Sequence, residues 1–231
     1  MDDALLTLLR SVDTPTVCNA IETAQGRRGF NDFTRGTVLA SAPEAGAIVG
    51  YARTARIAAQ APSSDPADKV RTRRLGYYRH MSEGEGPSIA VVEDVDYPNA
   101  IGAYWGEVNT TVHKALGLAG ALTNGVMRDL GDLPDGFPVL AGSVGPSHGF
   151  VHVVDFAKGA RVFELDVDEG DLVHADRHGA VIIPPAVVPD LAAAIETLFR
   201  AEDCILGPAK KGPMTFAEFE EAWAAFEAAR T

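Results

Sequence analysis

Between Ser88 and Asp129 the chain reads as strand, helix and strand, and that order limits the fold more than any other feature. Ser88 to Val95 carries Ile89, Ala90, Val91 and Val92 in one uninterrupted apolar run, the pattern of a strand buried on both faces. Trp105-Gly106-Glu107 opens a helix that runs to about Leu116, and Ala119 to Thr123 forms a second short strand stopped by Asn124-Gly125. Parallel strands need a crossover of this kind, so the segment predicts a βαβ unit within an α/β fold.

The flanking elements fit that frame. Residues 3–11 read as a short amphipathic helix, and Asp13-Thr14-Pro15-Thr16 ends it and starts another that runs to about Ala24. Gly46 to Ile57 is β-like. Residues 59–87 look least regular: Ala61-Pro62-Ser63-Ser64-Asp65-Pro66 is turn chemistry, and the cluster Arg71, Arg73, Arg74 and Arg79 reads as a solvated helix face ahead of an anion patch. After Asp129 come short apolar runs at Pro138–Ala141, Val151–Val154, Val162–Leu165, Leu172–Ala175 and Ala180–Ile183, which predict a β-rich, antiparallel or mixed region. Helices at about 187–202 and 215–229 close the chain, with Gly207-Pro208 and Gly212-Pro213 marking a loop between them. The expectation is a single α/β domain over 1–231, with a helical C-terminal extension from about 187.

Composition excludes several classes of function. The 231 residues include 32 acidic and 20 basic side chains, a net charge of −12, which repels a phosphate backbone and argues against nucleic-acid binding. No apolar run approaches the ~20 residues of a membrane span, and the acidic N-terminus lacks a secretory h-region. Cys18 and Cys204 are far apart, so a reduced, cytoplasmic protein is expected. Walker A, G-x-G-x-x-G, H-E-x-x-H and G-x-S-x-G patterns do not occur. The pairs His148/His152 and His174/His178 read as polar residues on a half-buried sheet rather than as metal ligands, because neither pair has a companion cysteine or a helical frame.

Two pieces carry the chemistry: Gly106-Glu107-Val108-Asn109 and Asn124-Gly125-Val126-Met127-Arg128-Asp129. The first is a helix start, where free N–H groups can hold a carboxylate and a glycine removes bulk. The second delivers Arg128 and Asp129 side by side. Asp129 is a hard oxygen ligand suited to Mg²⁺ or Mn²⁺, with Glu107 close enough in kind to hold an attached water. Arg128 can clamp a carboxylate or neutralise an oxyanion. N–H groups, an arginine and a divalent cation together suit a 2-oxo acid whose carbonyl becomes an enolate.

The stretch W-G-E-x₁₂-G-A-L-T-N-G-V-M-R-D, from Trp105 to Asp129, resembles the signature of the RraA-like family. That family includes divalent-metal-dependent 4-hydroxy-4-methyl-2-oxoglutarate/4-carboxy-4-hydroxy-2-oxoadipate aldolases and the regulator of ribonuclease activity A. Thr14 to Ala20, Phe137-Pro138-Val139 and Glu169 to Pro184 also look like that family's blocks. The resemblance implies an αββα sandwich related to the phosphohistidine swivelling domain, assembled as trimers or hexamers with active sites between subunits. It implies that Arg128 contacts pyruvate, that Asp129 binds the metal, that Glu107 holds a metal-bound water, and that the Val108 and Asn109 N–H groups bind the pyruvyl carboxylate beside Gly106. An acid from the neighbouring subunit, Glu202 with Asp203 in reserve, would complete the metal's surroundings. Two departures stand out: Asn124 replaces a common aspartate, and Asn109 replaces a small or apolar residue. His174, Asp176 and His178 lie in a block read as structural, with Asp176 bonding backbone in a turn.

Two functions of different class follow. One is a metal-dependent lyase that cleaves a 4-hydroxy-2-oxo acid to pyruvate, with oxaloacetate decarboxylation as a side activity. The other is a regulator that binds a ribonuclease without catalysis, for which the acidic charge suits a basic partner. Glu107, Arg128 and Asp129 occurring together favour the lyase. Loops at 59–87 and 145–150 are where substrate specificity is expected.

Overall fold

Aspartates open the first two helices. Asp2 Oδ1 accepts the Leu5 N–H (2.8 Å) ahead of α1 (Asp3–Ser11), and Asp13 Oδ1 accepts the Thr16 N–H (2.9 Å) ahead of α2 (Thr14–Gln25). Gly26, at φ +63°, closes α2 in the left-handed conformation. The structure, a computed structural model, describes residues 1–229. Beyond α2 follow β1 (Leu39–Ala40), β2 (Ile48–Ala58), α3 (Ala67–Ser82), β3 (Ser88–Asp94), β4 (Ala103–Trp105), α4 (Glu107–Ala115), β5 (Leu118–Thr123), β6 (Val126–Met127), β7 (Val139–Ala141) and β8 (Ser143–Val144). The last third holds β9 (His152–Phe156), β10 (Ala160–Val162), β11 (Leu165–Val167), β12 (Leu172–Asp176), β13 (Gly179–Ile182), a 3₁₀ turn at Pro185–Asp190, α5 (Leu191–Ala209) and α6 (Phe216–Ala229).

The main sheet is mixed. Its centre is parallel, in the order β2-β3-β5-β7, so the expected βαβ unit forms with α4 between β3 and β5. Antiparallel β1 closes one edge and the β12–β13 hairpin the other. β2 is long enough to take two partners along one side: β12 pairs with its first half, from Ile48 to Tyr51, and β9 with its second, from Ala55 to Ala58.

Alternation along the central strands sorts their side chains. On β3, Ile89 and Val91 pack toward the β10–β11 hairpin, while Ala90 and Val92 pack toward Tyr77, Met81 and Trp105. At the other end of the sheet Val49, Leu172 and Val181 meet α1, α2 and α5. A second, three-stranded parallel sheet, β4-β6-β8, lies beside the first. Each of its strands follows one strand of the main sheet: β4 follows β3, β6 follows β5 and β8 follows β7. The chain therefore steps three times from one sheet to the other in the same order, and the C-terminal ends of the short strands collect along one edge.

Four expectations change. Residues 67–82 form a regular helix within the segment expected to be least regular. The apolar run Val162–Leu165 is a hairpin turn, because Phe163 and Glu164 take φ of +48° and +65°, values matching the right-handed twist of the flanking strands. Phe163 is nonetheless buried, edge-on to Tyr97. The helix expected from about 187 begins at Leu191, after the 3₁₀ turn, and runs through Gly207 and Pro208 to Ala209. Pro208 stands one residue from the helix end, so its missing N–H costs a single hydrogen bond there. Among the described residues no helix is long and apolar enough to cross a membrane.

Candidate active site

β4 ends at Trp105 and β6 ends at Met127, paired in parallel, so the residues just beyond them, Gly106-Glu107 and Arg128-Asp129, emerge together. The Arg128 N–H donates to the Trp105 carbonyl (2.9 Å), which fixes the two strand ends against each other. In α/β sheets this carboxyl edge is where ligands bind.

Gly106 is the N-cap of α4 and has no side chain to cap it. Asp129 does that work from the neighbouring strand: its Oδ2 accepts the Glu107 N–H (3.1 Å). To reach, Asp129 takes φ +56°, a left-handed conformation that aspartate tolerates better than most residues. The approach is close enough that a Cβ on Gly106 would lie 2.8 Å from Arg128 Nε and closer still to Asp129 Oδ2. Glycine at 106 is thus required by the site. Arg128 Nε is buried with no hydrogen-bond acceptor, 3.3 Å from Asp129 Oδ2. Arg128 lines a cleft of about 980 Å³ together with Gly106, Val108 and Asn109. The first-turn N–H groups of Val108 and Asn109 have no acceptor one turn back, as at any helix start. The arrangement presents an arginine and a helix N-terminus to one cleft, with the Asp129 carboxylate beside both, which suits a small carboxylate ligand with a carbonyl beside it.

Asn109 has a second role. Its side-chain Nδ2 donates to the Tyr104 carbonyl (2.6 Å) and its Oδ1 accepts from the Tyr78 hydroxyl (2.6 Å), so the side chain ties α4 to α3. The polar departure at 109 is accounted for by these bonds. Behind it, His113 bridges the Asn109 carbonyl through Nδ1 (2.6 Å) and the Tyr77 hydroxyl through Nε2 (2.6 Å). Burial pushes the His113 pKa down to about 4, while the bond to the Asn109 carbonyl opposes the shift. The unfolded chain therefore binds a proton that the folded chain refuses between about pH 6.5 and pH 4. Stability from this group is intact above about pH 6.5 and falls as pH drops, by about 3 kcal/mol at pH 4. Urea unfolding of the protein and of His113→Phe at pH 7 and pH 4 checks this: the protein should lose about 3 kcal/mol more than the variant across that range. Equal losses would show that His113 titrates normally.

Asn124 does not face the cleft. Its Oδ1 accepts the Asp94 N–H (2.7 Å) and its Nδ2 donates to the carbonyls of Asp94 (3.3 Å) and Arg161 (3.4 Å). Asp94 is fully buried beside it, and burial raises its carboxyl pKa to about 6. An aspartate at 124 would add a second buried charge there and give up the donor that those carbonyls use, so asparagine is the residue that fits.

The histidine pairs separate. His174 is buried, with Nδ1 on Thr14 Oγ1 (3.1 Å) and Nε2 on the Leu9 carbonyl (2.9 Å). Asp176 accepts the Thr14 and His178 N–H groups (3.1 and 2.8 Å), the turn role expected for it. His148 and His152 line the same cleft as Arg128, with Nδ1 of each on a carbonyl of their own loop, at Gly149 and Phe150. Among the described residues no three His, Cys, Asp or Glu side chains come together as a metal cage. Glu202 lines a different hollow, with Arg28 and Leu198, and the chain itself does not bring it to the cleft of Arg128.

Tyr78 escapes the sequence reading, and Arg71 and Arg74, read there as a solvated face, are exposed and also border the cleft. Arg71, Arg74 and Tyr78 of α3 line the cleft along with Leu75, at i, i+3, i+4 and i+7, one face of the helix. The basic cluster is thereby split: Arg73 turns away to Asp65 (2.5 Å) and the Val153 carbonyl (3.3 Å), and Arg79 is exposed outside the cleft. The helical spacing was the available signal.

Several solved structures share the fold. An uncharacterized protein from Pseudomonas syringae pv. tomato superposes with a TM-score of 0.72 at 17% identity, covering 97% of this chain and 94% of that one. Streptomyces coelicolor RraAS2, described as an unusual member of the RNase ES inhibitor RraA protein family, gives 0.63 at 21% identity, covering 88% and 94%. A third structure, described among novel cellulases from microbes of the gut ecosystem, gives 0.70 at 18% identity, covering 88% and 87%. At these identities the likeness speaks for the fold alone. No curated protein matches the chain. The RraA-like family model, described as Aldolase/RraA, matches residues 14–182, a span that holds β2 through β13 and every residue gathered around Gly106, and the chain belongs to that family.

Proposed function

We propose that the protein is a divalent-metal-dependent lyase that cleaves a 4-hydroxy-2-oxo acid to pyruvate. One observation carries the reading: Arg128, Asp129 and the first turn of α4 close on a glycine whose Cβ would collide with both side chains. A site needing only a capped helix would have no use for an arginine that lines the cleft with its Nε buried beside the capping carboxylate, 3.3 Å from Asp129 Oδ2. The family includes both lyases and ribonuclease inhibitors, so the reading rests on the site.

The donor set fits magnesium or manganese. Asp129 spends Oδ2 on the helix and leaves Oδ1 available, and Glu107 is exposed one hydrogen bond away along the backbone. Mg²⁺ takes one or two carboxylates and keeps several waters, which matches two carboxylates and no cage. Bound there, such an ion would supply Lewis-acid stabilisation of negative charge on the substrate's C2 oxygen.

The chain's own groups do the rest. The Val108 and Asn109 N–H groups hold the C1 carboxylate, and Arg128 lies against the C2 oxygen. The C4 hydroxyl gives its proton to the Glu107 carboxylate through a water, the C3–C4 bond breaks, and its electron pair moves through C3 into the C2 carbonyl. The products are an aldehyde or ketone and the enolate of pyruvate, which takes that proton back at C3 from Glu107. The same enolate arises from oxaloacetate by loss of CO₂, so decarboxylation is the expected side activity. The test is a panel of 4-hydroxy-2-oxo acids with Mg²⁺ or Mn²⁺, read as pyruvate: release that EDTA abolishes supports the lyase. No release from any of them, with tight binding to a basic ribonuclease partner, would support the regulator, for which the net charge of −12 is the favouring observation.

Assembly belongs to the same proposal. Glu202, or Asp203 beside it, would serve a neighbouring subunit's site in a trimer or hexamer. The α5–α6 pair leaves large apolar side chains outside, Phe199, Phe216 and Trp223 at 47%, 73% and 43% exposure, as an interface would. Light scattering at micromolar concentration is expected to return a trimer or hexamer mass. A monomer mass would remove the shared site.

A further inference from the structure

Three of the four polar atoms of Asn109 are bonded within the protein, and the fourth is its backbone nitrogen. Side-chain Nδ2 donates to the Tyr104 carbonyl (2.6 Å), and Oδ1 accepts from the Tyr78 hydroxyl (2.6 Å). This orientation of the amide is forced, since only its nitrogen can donate to a carbonyl. The backbone carbonyl accepts from His113 Nδ1 (2.6 Å), which leaves Nε2 of the neutral ring to accept from the Tyr77 hydroxyl (2.6 Å). The Asn109 N–H itself finds no acceptor among the described residues: the carbonyl one turn back is that of Trp105, which takes the Arg128 N–H (2.9 Å). Arg128 and Asn109 line the same cleft.

A tie between α3 and α4 would not need this pattern. Tyr77, fully buried with its hydroxyl on His113, already joins the two helices, and Tyr104 and Trp105 pack on the same imidazole from β4. The Tyr78 bond adds little burial to that, since Tyr78 and Asn109 are each only partly covered. What it adds is direction. The backbone nitrogen and Cβ share the Cα of Asn109, so a side chain held at both ends of its amide fixes where the N–H points. A donor fixed before a ligand arrives spends no reorganisation in binding an anion.

We propose that Tyr78 is a positioning residue: through the Asn109 amide it aims the Asn109 N–H at a carboxylate bound at the start of α4. The proposal rests on the lyase reading for that carboxylate. It gives the polar side chain at 109 a part in binding, where an apolar one would leave the N–H aimed by the helix alone. Tyr78 acts here through Asn109 and not on the ligand, although it borders the cleft.

Calorimetry with pyruvate as the probe and Mn²⁺ present tests it, on the protein, Y78F, N109A and Y78F/N109A. Y78F keeps the ring and removes the hydroxyl, and should weaken pyruvate binding about three- to tenfold, the size of one net hydrogen bond. N109A should weaken it by a similar factor, and Y78F/N109A should stay within about twofold of N109A, because the hydroxyl has nothing left to act through. Mn²⁺ binding without pyruvate should stay within about twofold of the protein in all three variants, which a general loosening of α4, the helix that Glu107 opens, would not allow. Pyruvate binding by Y78F within about twofold of the protein overturns the role. So do losses that multiply in the double variant, which would put the hydroxyl on the ligand itself, and so does a matching loss of Mn²⁺. If the protein itself does not bind pyruvate, the carboxylate reading of α4 fails and takes the positioning role with it. If the coupling is found while no 4-hydroxy-2-oxo acid yields pyruvate, the positioning role stands and the lyase reading fails.

Discussion

Arg128→Ala is expected to lower kcat/KM for pyruvate release by about 10²–10³, or roughly 3–4 kcal/mol of transition-state stabilisation. The size follows from where the guanidinium sits. Its Nε is buried against Gly106, 3.3 Å from Asp129 Oδ2, so the guanidinium is held at the mouth of the helix before a ligand arrives. A donor of that kind spends no reorganisation when charge develops on the C2 oxygen. The loss should therefore fall on kcat. If it falls on KM alone, Arg128 contributes only uniform binding of the carboxylate. The fold should tolerate the change, because the backbone bond from Arg128 to Trp105 remains and the ion pair lost, at 3.3 Å from Asp129, is about one-third exposed on both sides. Arg128→Lys keeps the charge without the planar fork and should recover only part of the rate. Activity within about threefold of the protein's own in Arg128→Ala would show that the arginine does not act on the reacting carbonyl.

Much of this site could be read along the chain because its parts are local. A glycine before a helix, an acid at the first position and an Arg-Asp pair after a strand are features of a few neighbouring residues, and the structure brings them together at paired strand ends. The first two helices were legible for the same reason, since Asp2 and Asp13 cap them within three residues. What escaped depends on distant contacts or on elements too short to show a period. β4, β6 and β8 have three, two and two residues, below the length at which alternation can be counted. Val162–Leu165 is as apolar as a strand because Phe163 is buried from a turn. Asn124 reads as a turn residue, but its side chain satisfies the backbone of β3, thirty positions earlier. The basic face of α3 reads as solvated and Arg71 and Arg74 are exposed on it; that it also borders the cleft depends on the loop before β9, about eighty positions away.

Asp129→Asn separates the lyase from the regulator most sharply. The substitution keeps the local geometry for two reasons. An asparagine oxygen can still accept the Glu107 N–H that Asp129 Oδ2 now takes at 3.1 Å, so α4 keeps its cap. Asparagine also tolerates the left-handed φ of +56° at least as well as aspartate. What disappears is the negative charge, and with it the main attraction for a hard cation in a site whose other ligands would be mostly water. Loss of an outer-shell partner alone costs a metal site about 10–100-fold, and loss of a direct ligand should cost more. Activity in Mg²⁺ should therefore collapse by more than about 100-fold, and high Mn²⁺ should restore part of it by mass action. The melting temperature should stay close to that of the protein, since cap and backbone are preserved. A regulator would behave in the opposite way: one exposed carboxylate seldom dominates an interface, so binding to a basic partner should be nearly intact. Full metal-stimulated turnover in the asparagine variant would remove Asp129 from the metal's surroundings, and the cap on α4 would then be the whole of its work.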